Sequence, residues 1–183
     1  HVVRGHDHDP IGGGIERGSV SFITGPTGIG KSTTGAQILS DIAADGGTAL
    51  GYLFEESIDQ FTYRCENLGI PVSELRETGR LHLTEVEPLV RSAEEFGQYV
   101  VNEVEVHDPA TVFIDGLAGY KLSLQGDDQR LVRRLHGLTR LLKNRNVATI
   151  ITDESNALTG FPEATSTNTS YIADNIIFLS YVE

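Results

Sequence analysis

The sequence is poor in several residue types that particular classes of protein require. Among its 183 residues there is one cysteine, Cys65, and there is no methionine or tryptophan. A single cysteine excludes an internal disulfide and a zinc site built from several cysteines, and we expect Cys65 to be buried in a reducing compartment. The sequence contains no apolar run long enough to span a bilayer, and no signal peptide is evident. We therefore expect a cytoplasmic protein that does not bind membranes.

Basic residues are also scarce. Lysine and arginine total 14 against 26 aspartates and glutamates, which gives a net charge of -12, and only three of the 14 are lysine. This charge argues against broad nonspecific DNA binding, because such binding requires a basic surface that releases phosphate counterions. An acid excess with few lysines is typical of proteins from a high-salt cytoplasm, where screening weakens self-repulsion, so we predict adaptation to high salt.

The size and hydrophobic content suit one domain. Hydrophobic residues make up 39% of the chain, enough for a real core, and we see no internal repeat and no linker. We therefore predict that residues 1–183 form a single domain. Because the first residue is histidine and methionine is absent, we expect this domain to be truncated or cut from a longer chain.

The most informative motif is a glycine-rich run that fits the pattern G-x-x-x-x-G-K-[ST] at every fixed position. In such a loop backbone N–H groups surround phosphate oxygens, the lysine reaches the terminal phosphates, and the serine hydroxyl binds Mg²⁺. A strand over Ser19–Thr24 is predicted before the loop and a helix over Lys31–Asp45 after it, as this mechanism requires. The residues expected to bind the nucleotide are Gly25, Pro26, Thr27, Gly28, Ile29, Gly30, Lys31, Ser32 and Thr33.

Strand-like and helix-like segments alternate along the rest of the chain. This alternation predicts an α/β fold with a mainly parallel twisted sheet and helices on both faces. The further predicted strands are Ala49–Phe54, Leu81–Thr84, Thr111–Asp115, Ala148–Asp153 and Asn175–Val182. The further predicted helices are Ile58–Leu68, Leu89–Val106 with Pro88 in its first turn, and Asp127–Asn146.

One carboxylate stands at the end of an apolar strand. Asp115 follows four apolar or β-branched residues and precedes a glycine. In proteins with a phosphate loop, this is the position of the aspartate that holds Mg²⁺ directly or through water. Ser32 and Asp115 are therefore the predicted magnesium ligands, although a strand can also end in Asp-Gly simply because a turn follows.

Two adjacent glutamates follow the strand Ala49–Phe54. Hydrolysis of ATP requires a group that orients and deprotonates the attacking water, and Glu55 and Glu56 lie at the sheet edge where ligands bind in open α/β folds. We predict that both are catalytic together with Lys31, with Glu56 ahead of Glu55. The alternative is that they only place negative charge at the start of the next helix, which Ser57 would cap.

The strand Ala148–Asp153 ends at the same edge. Thr152, Asp153 and Glu154 are therefore candidates for a sensor of the γ-phosphate, although a turn after a strand accounts for them almost as well. The basic residues between Arg130 and Arg145 are expected to form a solvated helix face or a subunit contact. The cluster His6–Asp9 is interpreted as a polar loop and not as a metal site.

These features together resemble the KaiC-like branch of the RecA ATPase superfamily, and this resemblance, together with the acid excess, implies a salt-adapted archaeal source. The resemblance covers nearly the whole chain, and its more specific elements are the lead-in and the paired glutamates. The matching segments are Gly12–Ser19, the phosphate loop, Phe54–Ser57, the Asp115 strand, Thr152–Glu154 and Ala173–Ile177.

The resemblance implies a RecA-like core that binds ATP or ADP with Mg²⁺ between neighbouring subunits of a homo-oligomer, commonly a hexamer. It also implies that Glu55 and Glu56 match the family's catalytic carboxylates, and that Asn156–Ser170 is a central-channel loop. Recombinases use that loop to contact DNA, but here it contains no lysine or arginine. In the family a Lys-x-Arg segment follows the last strand and reaches the neighbour's γ-phosphate.

The leading hypothesis is an ATP-binding domain that hydrolyses ATP slowly to switch assembly or partner binding. A nucleotide-gated signalling or scaffold module without significant turnover is the main alternative. Autokinase activity, suggested by hydroxyl residues between Thr165 and Ser170, and a role in DNA recombination or repair are lesser ones.

Overall fold

The computed structural model describes residues 10–11, 14–88, 90, 92–124, 128–154 and 172–181. The strands are β1 (Pro10–Ile11), β2 (Ile15–Glu16), β3 (Val20–Gly25), β4 (Ala49–Leu53), β5 (Leu81–Glu85), β6 (Thr111–Asp115), β7 (Ala148–Glu154) and β8 (Asn175–Phe178). The helices are α1 (Lys31–Ala44), α2 (Ile58–Glu66), α3 (Val72–Glu77), α4 (Ala93–His107), α5 (Leu117–Leu122) and α6 (Asp128–Asn144).

Six strands form one parallel sheet in the order β5-β4-β6-β7-β3-β8. Strand β3, which leads into the phosphate loop, pairs with β7 on one side and β8 on the other. All carboxyl ends of the six strands therefore lie at the same edge of the sheet. The short strands β1 and β2 form a separate antiparallel hairpin.

The helices cover both faces of this sheet. On one face α1, α2 and α3 pack on residues that include Ile23, Phe113 and Ile150, and on the other α4, α5 and α6 pack on their chain neighbours, such as Phe22 and Ile151. Successive strand residues point to opposite faces, so strands covered on both sides are apolar almost throughout. The predicted α/β class, with a mainly parallel sheet and helices on both faces, is confirmed.

The predicted helix Leu89–Val106 is wrong at its start. Helix α4 begins at Ala93, because Ser92 is its N-cap. The Ser92 hydroxyl accepts a hydrogen bond from the backbone N–H of Glu95, and the Glu95 carboxylate accepts one from the backbone N–H of Ser92. This reciprocal pair satisfies two amides that have no partner within the helix. Pro88 therefore lies before the helix and not in its first turn.

Three further differences concern short elements. The predicted strand Asn175–Val182 ends at Phe178, and the helices α3 and α5 and the hairpin of β1 and β2 were not predicted. Six residues give too few turns for helical periodicity to stand out. The predicted loop Asn156–Ser170 and the cluster His6–Asp9 lie outside the described residues. Within the described part of the chain, no helix is both long and apolar enough to cross a bilayer.

Candidate functional site

The residues of the candidate site come from the ends of four neighbouring strands. Strands β4, β6, β7 and β3 lie side by side, and each is followed at its carboxyl end by polar residues. Leu53 pairs with Asp115 in the sheet, and the Phe54 N–H extends this pairing by donating to the Asp115 carbonyl oxygen at 2.7 Å. Glu55 is thereby brought directly beside the end of β6.

The loop between β3 and α1 adopts backbone conformations that favour glycine. Gly28 has φ of 79° and Gly30 has φ of 101°, in the region that side chains with a Cβ rarely occupy. Gly25 has a different constraint, since a Cβ there would lie 2.5 Å from the carbonyl oxygen of Leu179, just after β8. The loop is therefore shaped partly by its own turns and partly by contact with the neighbouring chain segment.

Lys31 begins helix α1 and folds back over the loop. Its Nζ donates to the carbonyl oxygens of Gly25 and Pro26, at 3.0 and 2.9 Å. The loop thus places an ammonium group beside the N-terminus of a 14-residue helix, whose first N–H groups have no partner within the helix. This combination favours the binding of an anion.

Three oxygen-bearing side chains meet at the end of β6. Asp115 is 3% exposed, and its Oδ1 accepts hydrogen bonds from the Ser32 hydroxyl at 2.9 Å and the Thr152 hydroxyl at 2.6 Å. Mg²⁺ takes oxygen ligands and usually binds one or two carboxylates together with substrate phosphates. A buried carboxylate that accepts hydrogen bonds from the hydroxyls of Ser32 and Thr152, next to a phosphate loop, fits such an ion.

Glu55 lies against the same cluster. Its Oε1 is 3.1 Å from the position that a Cβ on Gly116 would occupy. Although much of the side chain is open to solvent, loss of hydration at the carboxyl group raises the pKa of Glu55, and the nearby charges of Asp115 and Glu154 raise this pKa further. Lys31 partly offsets the rise. A carboxyl group of this kind accepts a proton more readily than an ordinary glutamate does.

Glu56 has a different environment, because it forms an ion pair with Arg64 of helix α2. Arg64 donates through Nη2 to Glu56 Oε1 and through Nη1 to the Thr33 hydroxyl, the latter at 2.7 Å. The guanidinium carbon also lies 5.4 Å from the centre of the Phe61 ring. Arg64 thus joins Glu56 to the first turn of α1. The predicted cap of α2 is present as well, since the Ser57 hydroxyl accepts a hydrogen bond from the N–H of Gln60.

The end of β7 contributes the candidate sensor residues. Thr152 contacts Asp115 as described, and Glu154 accepts a hydrogen bond from the Thr27 hydroxyl of the loop. Asp153 is 6% exposed, and within the described part of the chain its Oδ2 has no hydrogen-bond partner. Burial raises the pKa of Asp153 to about 6, although Lys31 and the backbone N–H of Glu154 act in the opposite direction.

These groups line a cavity of about 290 Å³. The lining brings together most of the predicted site residues, although Gly25, Pro26 and Ile29 are not part of it. The described residues that line this cavity include five carboxylates and two cations, namely Glu55, Glu56, Asp115, Asp153, Glu154, Lys31 and Arg64.

Arg64 was missed by the sequence analysis. A signal was available, because position 64 lies seven residues, or two helical turns, after the Ser57 cap. Arg64 therefore lies on the same side of helix α2 as Ser57, which follows Glu56 directly. Gly116, Leu117 and Ala118, which also line the cavity, follow Asp115 directly and were not assigned to the site either.

A larger cavity of about 650 Å³ lies elsewhere, between the start of α4 and helix α6. Arg130, Arg133 and Arg134 line it, and Arg134 is paired with Glu94 at 3.5 Å. The smaller cavity is the better candidate for chemistry, because it combines a phosphate loop, a buried carboxylate with hydroxyl partners and two carboxyl groups with raised pKa values.

The parallel sheet, the loop with Lys31 and Ser32, and Asp115 on a neighbouring strand define a nucleotide-binding protein of the P-loop class. The chain matches the family model described as "ATPase: KaiC" over residues 3–183. It therefore belongs to the KaiC ATPase family, and it is an ATP-binding domain of the RecA and KaiC type.

Among known proteins, the chain is similar to the circadian clock oscillator protein KaiC of several organisms. It is 27% identical over 172 residues to the protein of Acaryochloris marina, covering 94% of this chain and 33% of that protein. It is 28% identical over 173 residues to the protein of Parathermosynechococcus lividus, covering 94% and 31%. The chain therefore spans about a third of the length of these relatives.

Proposed function

We propose that this domain binds ATP with Mg²⁺ at the phosphate loop and hydrolyses it slowly to switch assembly or partner binding. The observation that carries the proposal is the hydrogen bond of 2.9 Å between Ser32 and Asp115, which joins the start of α1 to the end of β6. Two oxygen groups of the type that hold Mg²⁺ are thereby adjacent, directly beside the loop that carries Lys31.

Each of these groups has a role in the proposal. Lys31 leaves the carbonyl oxygens of Gly25 and Pro26 and contacts the β- and γ-phosphates, whose charge it offsets. Ser32 and Asp115 hold Mg²⁺, which would neutralise charge on the triphosphate. Thr152 keeps the Asp115 carboxylate in place through its hydrogen bond, and Asp153 and Glu154 are the proposed sensor of the γ-phosphate.

For the group that activates water, the contacts favour Glu55 over Glu56. Glu55 lies beside Asp115 and Gly116 and has a raised pKa, whereas Glu56 is held by Arg64. A carboxylate engaged by a guanidinium has a lone pair less available for a water proton. We therefore propose Glu55 as the general base and Glu56 as a supporting carboxylate, which reverses the order given by the sequence.

The main alternative is a module that binds ATP without significant turnover. It is supported by the charges around the cavity, because Lys31 and Arg64 are the only cations among the described residues that line it, and Arg64 is already paired with Glu56. Transition-state charge in related phosphoryl transfers is often stabilised by an additional arginine, whose contribution is about 10³–10⁵-fold in rate. A partner subunit in a homo-oligomer is the proposed source of such a charge.

Phosphate release and nucleotide binding, measured in parallel at high salt, test both functions. We expect Lys31→Ala to abolish Mg-ATP binding, and we expect Glu55→Gln to keep binding while it reduces phosphate release by about 10²–10⁴-fold. Glu56→Gln is the matched control and should reduce release less. Wild-type protein that binds ATP and releases no phosphate above the Glu55→Gln background would exclude the hydrolase and favour the binding module.

The assembly switch requires its own measurement. We expect the mass in light scattering to rise with Mg-ATP, and to remain low with Lys31→Ala. Autokinase activity and DNA binding remain lesser alternatives. An unchanged intact mass after incubation with Mg-ATP would remove the first, and DNA affinity that does not depend steeply on salt would remove the second.

A further inference from the structure

Among the described residues, five carboxylates line the cavity at the phosphate loop, and one of them, Glu56, is paired with Arg64. Glu56 has a side-chain exposure of 22%, and Arg64 has one of 34%, so both are partly shielded from water at the wall of the cavity. A triphosphate that enters this cavity brings further negative charge. An unpaired Glu56 carboxylate would therefore oppose nucleotide binding.

The geometry of Arg64 is suited to holding this carboxylate. One guanidinium nitrogen donates to Glu56 and another donates to the hydroxyl of Thr33, 2.7 Å away, in the residue that follows the predicted magnesium ligand Ser32. The guanidinium also lies over the Phe61 ring, and this contact helps to hold its position. A planar group with two donors in use fixes both direction and distance, as a lone ammonium does not.

We propose that Arg64 is a positioning residue that acts through Glu56. It holds the Glu56 carboxylate against the start of α1 and cancels its charge, and so keeps the phosphate site open to a triphosphate. Arg64 does not contact the phosphates itself in this proposal. The inference rests on the proposed function only in that Mg-ATP binds at the loop, and it does not depend on whether ATP is hydrolysed.

A comparison of Mg-ATP dissociation constants in four proteins tests the proposal: wild type, Arg64→Gln, Glu56→Gln and the double variant. Arg64→Gln should weaken binding on the order of tenfold, which corresponds to about 1.4 kcal/mol, because Glu56 is then charged and free to turn into the cavity. The double variant should return to within about threefold of wild type, since the unpaired carboxylate is gone. The loss in Arg64→Gln should also shrink at high salt, where screening weakens the repulsion.

Two further variants keep the test specific. Arg64→Lys retains the positive charge, so its affinity should lie between those of wild type and Arg64→Gln. Arg76→Gln, on the exposed surface of helix α3, is the matched control and should bind as wild type does. Thermal unfolding of each variant shows whether it is folded, and Arg64→Lys serves in place of Arg64→Gln if the latter is not.

The outcomes separate this role from the alternatives. If the double variant binds as weakly as Arg64→Gln, Arg64 contacts the nucleotide itself or has a purely structural role, and the proposal is overturned. Unchanged affinity in Arg64→Gln overturns it as well. If wild-type protein fails to bind Mg-ATP at all, the proposed function fails, which is a result distinct from wild-type binding with an unrescued variant.

Discussion

Asp153 is expected to destabilise the folded protein at neutral pH. Its carboxyl group is buried at the end of β7, and its Oδ2 has no hydrogen-bond partner among the residues that the structure describes. Burial disfavours the charged form and raises the pKa of Asp153 from 3.8 to about 6, although Lys31 and Lys121 oppose the rise and Glu154 adds to it. Asp153→Asn replaces this group with an amide of nearly the same shape that cannot ionise.

The size of the effect follows from this difference in pKa. Between pH 3.8 and about 6 the folded chain binds more protons at this position than the unfolded chain does. Stability therefore falls as the pH rises through this window, and above it the full cost of about 3 kcal/mol is present. An amide also needs partners for its N–H groups, so we expect Asp153→Asn to gain about 1–3 kcal/mol at pH 8 and almost nothing near pH 4.

Urea unfolding at pH 8 and pH 4 measures this directly. Urea carries no charge, so the ionic strength remains constant while the free energies of unfolding of wild type and variant are compared. Asp45→Asn is the control, because Asp45 is exposed at the end of α1, and it should change stability by less than about 0.5 kcal/mol. An equal gain for Asp153→Asn at both pH values, or no gain at pH 8, would refute the reasoning.

Three further predictions concern packing, pH and salt. Gly35→Ala should lower the free energy of unfolding by about 1–3 kcal/mol, because a Cβ there would lie 2.5 Å from the ring of Phe113. Gly97→Ala, at a site within α4 where a Cβ meets no described atom within 4 Å, should raise it by about 0.5–1 kcal/mol. Urea unfolding compares the two variants, and a Gly35→Ala variant as stable as wild type would contradict the close contact. The pKa of His82 is lowered by burial and by His107, whose ring centre is 3.9 Å away. The unfolded chain therefore binds this proton more readily, and the stability of the folded protein should fall as the pH drops below 6.5. His82→Gln should reduce that fall, which would be measured as a shallower dependence of the melting temperature on pH. The net charge of -12 causes repulsion between negative groups of the folded protein. The melting temperature should therefore increase as KCl rises from about 0.1 to 1 M, because the screening length shortens from about 10 to 3 Å. A melting temperature independent of KCl would argue against the predicted salt adaptation.

The parallel sheet could be predicted because its buried strands leave a strong local signal. Thr111–Asp115 and Ala148–Asp153 are apolar or β-branched almost throughout and end in polar residues, and the structure places strands there that agree within one residue. The start of α4 was harder to predict. Apolar residues from Leu89 onward extend the helical pattern, and the reciprocal hydrogen bonds of Ser92 and Glu95 decide where the helix begins.

Within the candidate site, spacing along the chain could indicate which residue types are present but not how they pair. The order of strands brings Asp115, Thr152 and Ser32 together from three separate segments, and only their local patterns were visible in the sequence. The division between Glu55 and Glu56 depends on Arg64, which lies on helix α2 just after them. The seven-residue spacing from Ser57 indicates the side of α2 on which Arg64 lies, but it does not indicate which of the two glutamates Arg64 pairs with.

The close contact between Gly25 and Leu179 bears on how the first glycine of the loop is interpreted in related proteins. A side chain at this position would push apart two chain segments whether or not any nucleotide binds, since the obstacle is a backbone oxygen. A descendant that lost ATP binding would therefore be expected to retain Gly25 while Lys31 drifted. Among diverged members of the family we therefore expect the lysine to mark a working site, and the glycine to mark only the preserved architecture.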